Sequence, residues 1–233
     1  MPRRQPEQQP PPVQRLRVRY AKRGLARFTS HRDFARAFER ALRRAEIPMA
    51  YSSGFSPHPR ISYANAASTG AASEAEYLEI GLALTCEPEA VRQALDEALP
   101  PGLDVLAVVP ASGPALADRL QASRWQVDLG DVQHEVLVAA VTAFVDASTV
   151  EVQRMTRSGP RVFDARAAVA SIEATGAGRV DLVICHGEPL VRPDDVVSAL
   201  RAVEPDLDLG QPPVLTRLAQ GPWRDGRVHD PLA

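Results

Sequence analysis

Cysteine is scarce. Cys86 and Cys185 stand 99 positions apart in a chain of 233 residues. An iron–sulfur cluster needs about three closely spaced thiolates, so this chain holds none. The same spacing makes no disulfide framework, and a bland buried thiol is the expected role of each. Long apolar runs are also missing. No stretch approaches the roughly 18 residues that a spanning helix requires. The opening MPRRQPEQQPPPVQ has charge and proline but no apolar signal core. No membrane partner is expected, and a cytoplasmic location is. The chain has no G-x-x-x-x-G-K-[ST] loop, no G-x-G-x-x-G after a strand and no G-x-S-x-G. His134, His186 and His229 lack companions at metal-ligand spacing. No metal and no cofactor are expected.

Charge is present and unevenly placed. Residues 1–60 carry fourteen Lys or Arg against four Asp or Glu, and the remainder carries thirteen against twenty-five. A basic end of about +10 and an acidic body of about −12 hide under a net charge of −2. Such asymmetry fits a surface that faces a polyanion, or solvated helix faces that resist aggregation.

The pattern of apolar residues predicts an α+β fold. In LRVRY, Leu16, Val18 and Tyr20 alternate with Arg15, Arg17 and Arg19, the period of a half-buried strand. Ser30 begins a helix, with Asp33 at a capping-box-like position. Phe34, Ala37, Phe38, Ala41, Leu42 and Ala45 form its buried stripe, and Arg32, Arg36, Arg40, Arg43 and Arg44 fall opposite. Strands are predicted at residues 61–67, 76–84 and 103–109, with a helix opened by Pro88. That order is βαββαβ, the ferredoxin-like order. Residues 124–129, 150–155, 168–174, 180–185 and 214–218 read as further strands, with helices after Asp131 and from Pro193. EPEAVRQALDEALP and RPDDVVSALRAVEP align at Pro88/Pro193, Val91/Val196, Ala94/Ala199, Leu95/Leu200 and Pro100/Pro205, each pair 105 residues apart. The constant offset points to two tandem ferredoxin-like halves. The expected boundaries are a disordered Pro-rich tail at 1–14, a first half at 15–110, a linker at 111–123, a second half at 124–220 and a loose tail at 221–233.

The run FTSHRDFARAFERALRRAEIPMAYSSGFSPHPRIS (residues 28–62) resembles the opening of the radical-SAM-linked domain-of-unknown-function family, in its stand-alone form. RSGPRVFDAR (residues 157–166) and VRPDDVVSAL (residues 191–200) resemble the same family, and the likeness spans roughly Leu16 to Leu218. It implies association with a radical SAM protein and with RNA metabolism, and it supplies no catalytic mechanism.

Candidate site residues cluster around the loop SSGFSPHPR. Gly54 permits close backbone approach, and Pro57 and Pro59 fix His58. Arg60 can hold phosphate through a bidentate fork. Ser53, Gly54, Phe55, Ser56, His58 and Arg60 are the expected ligand-binding set. Tyr51, Phe55 and Tyr63 are available for base stacking. His31 and His58 are the candidate acid and base should RNA be cleaved. Otherwise His31 is a hydrogen-bonding residue at a helix start and His58 a polar plug of a rigid loop. Arg36, Arg40 and Arg43 on the basic helix, with Arg157 and Arg161, are the expected RNA contacts. Asp164 could instead pair with Arg161 or Arg166 and fix a turn. The leading expectation is an RNA-associated, non-catalytic accessory protein. The alternatives are an enzyme acting on RNA or a modified nucleotide, and a protein-binding scaffold for a radical SAM partner.

Overall fold

The computed structural model describes residues 8–156 and 159–233. It is a mixed α+β fold, and the chain divides into two compact units. One runs to Arg119 and includes Leu232–Ala233; the other is Leu120–Pro231.

The first unit contains β1 (Gln14–Lys22), α1 (His31–Arg44), β2 (Ile61–Ala64), β3 (Ala72–Leu82), α2 (Pro88–Ala98), β4 (Leu103–Pro110) and the short α3 (Leu116–Arg119). Its strands lie in the order β4-β1-β3-β2, and all of these pairings are antiparallel. Alternation along β1 decides its two faces. Leu16, Val18 and Tyr20 are buried against Phe34, Phe38 and Leu42 of α1 and against Val91 and Leu95 of α2. Each large apolar side chain buried there contributes roughly 1.5–3 kcal/mol. The rings of Tyr20 and Phe34 stack at 4.4 Å between centroids. At the start of α1 the Ser30 hydroxyl accepts the Asp33 N–H at 3.2 Å and donates to the Asp33 carboxylate at 2.7 Å. The expected cap is therefore in place. Arg15, Arg17 and Arg19 point to the opposite face of the sheet.

The second unit contains β5 (Ala122–Asp128), α4 (His134–Asp146), β6 (Glu151–Thr156), β7 (Gly159–Asp164), β8 (Val169–Gly176), β9 (Arg179–Cys185), α5 (Pro193–Val203) and β10 (Val214–Gly221). Its main strands lie in the order β10-β5-β9-β8, again antiparallel. The β6–β7 hairpin pairs only with itself. Arg154 ties it to α5 by donating to Asp195 at 2.5 Å, and its guanidinium covers the Phe163 ring at 4.9 Å. The Asp195 carboxylate also accepts the Arg192 N–H at 2.8 Å, which closes the first turn of α5. α2 and α5 begin at the aligned prolines and bury the aligned Val91/Val196 and Leu95/Leu200.

Three stretches differ from expectation. Residues 9–14, read as tail, are held: Gln9 N–H donates to Ser53 Oγ, Val13 N–H to the Leu82 carbonyl, and Gln14 pairs with the Cys86 backbone through both ends of its amide. The C-terminal stretch forms β11 (Trp223–Arg224) and β12 (Arg227–Val228), a two-stranded hairpin, and Pro231 is buried. Residues 111–123 contain α3, with Leu116 and Leu120 buried, and β5 already begins at Ala122. In each case hydrogen-bonding to backbone overrides a proline-rich or glycine-rich local composition.

Candidate functional site

The site is built on the face of the first unit's sheet opposite α1 and α2. β2 is short because the chain first makes a hairpin from Ala50 to Arg60. That hairpin is anchored on Gly81: Ala50 N–H donates to the Gly81 carbonyl at 2.8 Å, and Gly81 N–H donates to the Arg60 carbonyl at 2.9 Å. A Cβ at Gly81 would lie 2.9 Å from Pro12 Cγ and 3.3 Å from Arg60 Cβ, so glycine is needed where three segments cross. Ser52 closes the hairpin twice. Its N–H donates to the His58 carbonyl at 2.9 Å, and its hydroxyl accepts the His58 N–H at 3.0 Å. The tip holds Phe55, which is 73% exposed.

Two adjoining clefts result. One, of about 350 Å³, is lined by Ser52, His58, Pro59 and Arg60. The other, of about 480 Å³, lies under the segment Ala111–Ala117 and reaches Arg17 and Tyr63. Arg15, Ser62 and Glu79 line both. Two guanidiniums thus meet one carboxylate, and a third stands nearby on the hairpin. Arg17 Nε reaches Glu79 at 3.4 Å, Arg15 reaches the same carboxylate at 3.5 Å, and Arg60 Nε donates to the Tyr51 carbonyl at 3.1 Å. Arg17 also donates to the Pro114 carbonyl at 2.5 Å, and it is 3% exposed. The clefts carry a formal excess of two positive charges, with Arg15 exposed, Arg60 half-buried and Arg17 buried, and that excess suits an anion.

The expected residues divide between faces. Ser53, Gly54, Phe55, Ser56, His58 and Arg60 all lie on the hairpin; the Ser53 hydroxyl is already used by Gln9, while Phe55, Ser56 and His58 are exposed. Arg36, Arg40 and Arg43 are exposed on α1, and α1 packs on the other face of the sheet. They do not line the clefts. His31 and His58 are likewise separated. His31 meets the Tyr63 ring edge-on at 4.8 Å, on the α1 side, whereas His58 lines the cleft with Arg15 and Glu79. Tyr63 is lost as a stacking platform because its ring packs against His31 and Phe34. Its hydroxyl is buried without a hydrogen-bond partner, and burial, with the Glu39 charge, pushes its pKa up to about 12. Arg157 lies outside the described residues. Arg161 is exposed on β7 in the second unit. Asp164 does fix a turn, but through backbone: its carboxylate accepts the N–H groups of Val150 and Arg166.

Reading the sequence for a site passed over Arg15, Arg17, Ser62, Glu79 and the 111–117 segment. The signal available was the strict alternation in LRVRY, which sends three arginines to one face.

Residues 15–193 match the family described as "Uncharacterized protein conserved in bacteria (DUF2344)". The chain belongs to that family. Every cleft residue named above except Pro12 falls inside the matched span. No curated protein matches the chain. Among solved structures, the crystal structure of an unknown protein from Galdieria sulphuraria is similar at 16% identity over 88% of this chain and 98% of that one, with a TM-score of 0.27. A likeness at that level carries neither fold nor function.

Proposed function

We propose that this protein is an RNA-associated accessory protein, linked to a radical SAM partner, that catalyses no reaction of its own. The observation that carries the RNA reading is the basic groove of the first unit. Arg15, Arg17 and Arg60 line two adjoining clefts in which, among the described residues, Glu79 is the one carboxylate, and an exposed Phe55 stands at the tip of the hairpin that forms the rim. A positive groove beside an exposed aromatic is the arrangement that holds single-stranded nucleic acid, with phosphates on the cations and a base on the ring. The α1 arginines add to the field of the same unit without touching the groove.

The fold reading is two tandem ferredoxin-like βαββαβ halves. The strand orders β4-β1-β3-β2 and β10-β5-β9-β8 support it, and the β6–β7 hairpin is then an insertion in the second half. The radical SAM link rests on the resemblance of residues 28–62, and the cytoplasmic location on the composition.

Fluorescence anisotropy with a single-stranded oligoribonucleotide tests the RNA reading. Binding is expected, with log affinity falling linearly against log salt as counterions are released. Affinity that is absent, or that ignores salt, sinks it. Affinity purification of the tagged chain from its own cells should recover a radical SAM protein; recovery of RNA without one would leave only the first half of the proposal.

A further inference from the structure

The two clefts adjoin at Arg15, Ser62 and Glu79. The segment Ala111–Ala117 lies over the second as a strap. Ala111 N–H donates to the Arg15 carbonyl at 2.9 Å, the Pro114 carbonyl accepts from Arg17, and Leu116 is buried at 5% exposure. A polynucleotide running along Arg60 and Arg15 would meet this strap. We infer that the cleft beneath the strap is a site for a terminal phosphate monoester, and this rests on reading the groove as a strand-binding surface.

Charge favours a monoester over a diester. Arg15 and Arg17 share a single carboxylate, each through one long contact of 3.4–3.5 Å, so Glu79 fills neither guanidinium fork bidentately. Arg17 is buried and held by the Pro114 carbonyl as well, whereas Arg15 has 64% of its side chain exposed and is free to turn toward a ligand. A monoester carries about −1.5 to −2 charges at neutral pH, and a bridging diester carries one. The dianion therefore competes better with Glu79 for the Arg15 fork, with the buried Arg17 charge behind it. Ser62, on the same face, adds a hydroxyl within the lining. The volume of about 480 Å³ suits one nucleotide rather than a chain. The same chemistry would accept the phosphorylated end of an RNA strand or a free nucleoside monophosphate.

Titration calorimetry on the full chain separates these cases. The probes are a short oligouridylate with a phosphate at its 5′ end, at its 3′ end or at neither, and uridine monophosphate alone. One phosphorylated oligomer should bind about tenfold tighter than the unphosphorylated one, the worth of one charge-assisted contact. Arg15→Ala should bring that ratio to one with the fold intact by circular dichroism, since its side chain is exposed. Equal binding of all three oligomers overturns the terminal-phosphate site and leaves the strand-binding reading intact. Uridine monophosphate binding that depends on Arg15, with no oligomer bound, keeps the phosphate site and removes the RNA reading. Silence from every probe removes both.

Discussion

The two units treat buried polarity in opposite ways. In the first, Arg15, Arg17 and Arg60 line two adjoining clefts together with Glu79. In the second, the polar groups close on one another. His186 sits with Nδ1 at 2.7 Å from the Leu120 carbonyl and Nε2 at 3.0 Å from Ser123 Oγ, and that oxygen also accepts the Trp125 indole N–H at 2.8 Å. Arg217, 2% exposed, covers the Trp125 ring at 5.3 Å and donates to Gln220. A serine beside a histidine invites a nucleophile reading, but Ser123 is 3% exposed and its oxygen is already engaged twice. Polar groups that satisfy each other inside a core specify structure. Charges that outnumber their partners on a concave surface are available to a ligand. The proposed RNA site in the first unit rests on that contrast.

The sharpest way to break that contrast is to delete the shared hydroxyl. Ser123→Val removes the acceptor of the Trp125 N–H. An unsatisfied buried group costs about 1–3 kcal/mol, so a loss of about that size is expected in denaturant melts, with RNA affinity unchanged in the folded protein. Stability near that of the parent chain would mean that the second unit's network is as dispensable as a surface one.

The converse test is Arg60→Ala. Its side chain lines the cleft and donates to the Tyr51 carbonyl. RNA binding should weaken by about 1–3 kcal/mol through loss of a charge-assisted contact, while stability moves by less than about 0.5 kcal/mol. Unfolding with binding retained in the remaining folded fraction would place Arg60 among the structural residues of the hairpin. His58→Ala should also leave stability intact and weaken binding less, since its backbone, not its ring, closes the hairpin.

Acid should separate the units as well. Burial holds the His186 pKa below its ordinary value, against the opposing hydrogen bond to the Leu120 carbonyl. The unfolded chain then binds the proton more readily than the folded one. Stability is full above the unfolded value of about 6.5 and falls as pH drops from there toward the lower folded value. Thermal melts between pH 7.5 and pH 5 should show the decline, and His186→Gln should flatten it. A decline that survives the substitution would assign the acid sensitivity elsewhere.

How much of this was legible follows from what kind of signal each part leaves. Helices with a strong apolar stripe were readable: Phe34, Phe38, Ala41 and Leu42 mark α1, and the prolines at 88 and 193 mark the starts of α2 and α5. β7 was not, because Pro160 and Gly159 read as loop, yet an edge strand of an isolated hairpin tolerates both. The hairpin at 52–60 was readable as a site from its glycine, prolines and His58. Its true neighbours were not, because Arg15, Glu79 and the strap at 111–117 reach it only through strand pairing and crossing. The basic helix drew attention by its density of charge. Sequence spacing gives a helix face but not the side of the sheet on which that helix packs.

The smallest effect is expected from that helix, and it is the most discriminating. Arg36, Arg40 and Arg43 are exposed and face away from Phe34 and Phe38, on the side of the sheet opposite the clefts. Among the described residues their one ion pair is Arg36 with Asp33 at 3.9 Å, worth at most about 0.5 kcal/mol on a helix surface. Replacing all three by Glu should therefore leave the fold intact. It reverses charge on one face and so lowers the attraction of a polyanion through the field of the unit rather than through contact. Charges farther apart than a Debye length of about 8 Å at physiological salt are largely screened. The triple variant should thus lose RNA affinity at low salt and approach the parent chain as salt rises, whereas Arg60→Ala should remain weaker at every salt concentration. Should the triple variant instead lose more affinity than Arg60→Ala at physiological salt, α1 is itself the RNA-binding surface, and the open sheet face is not.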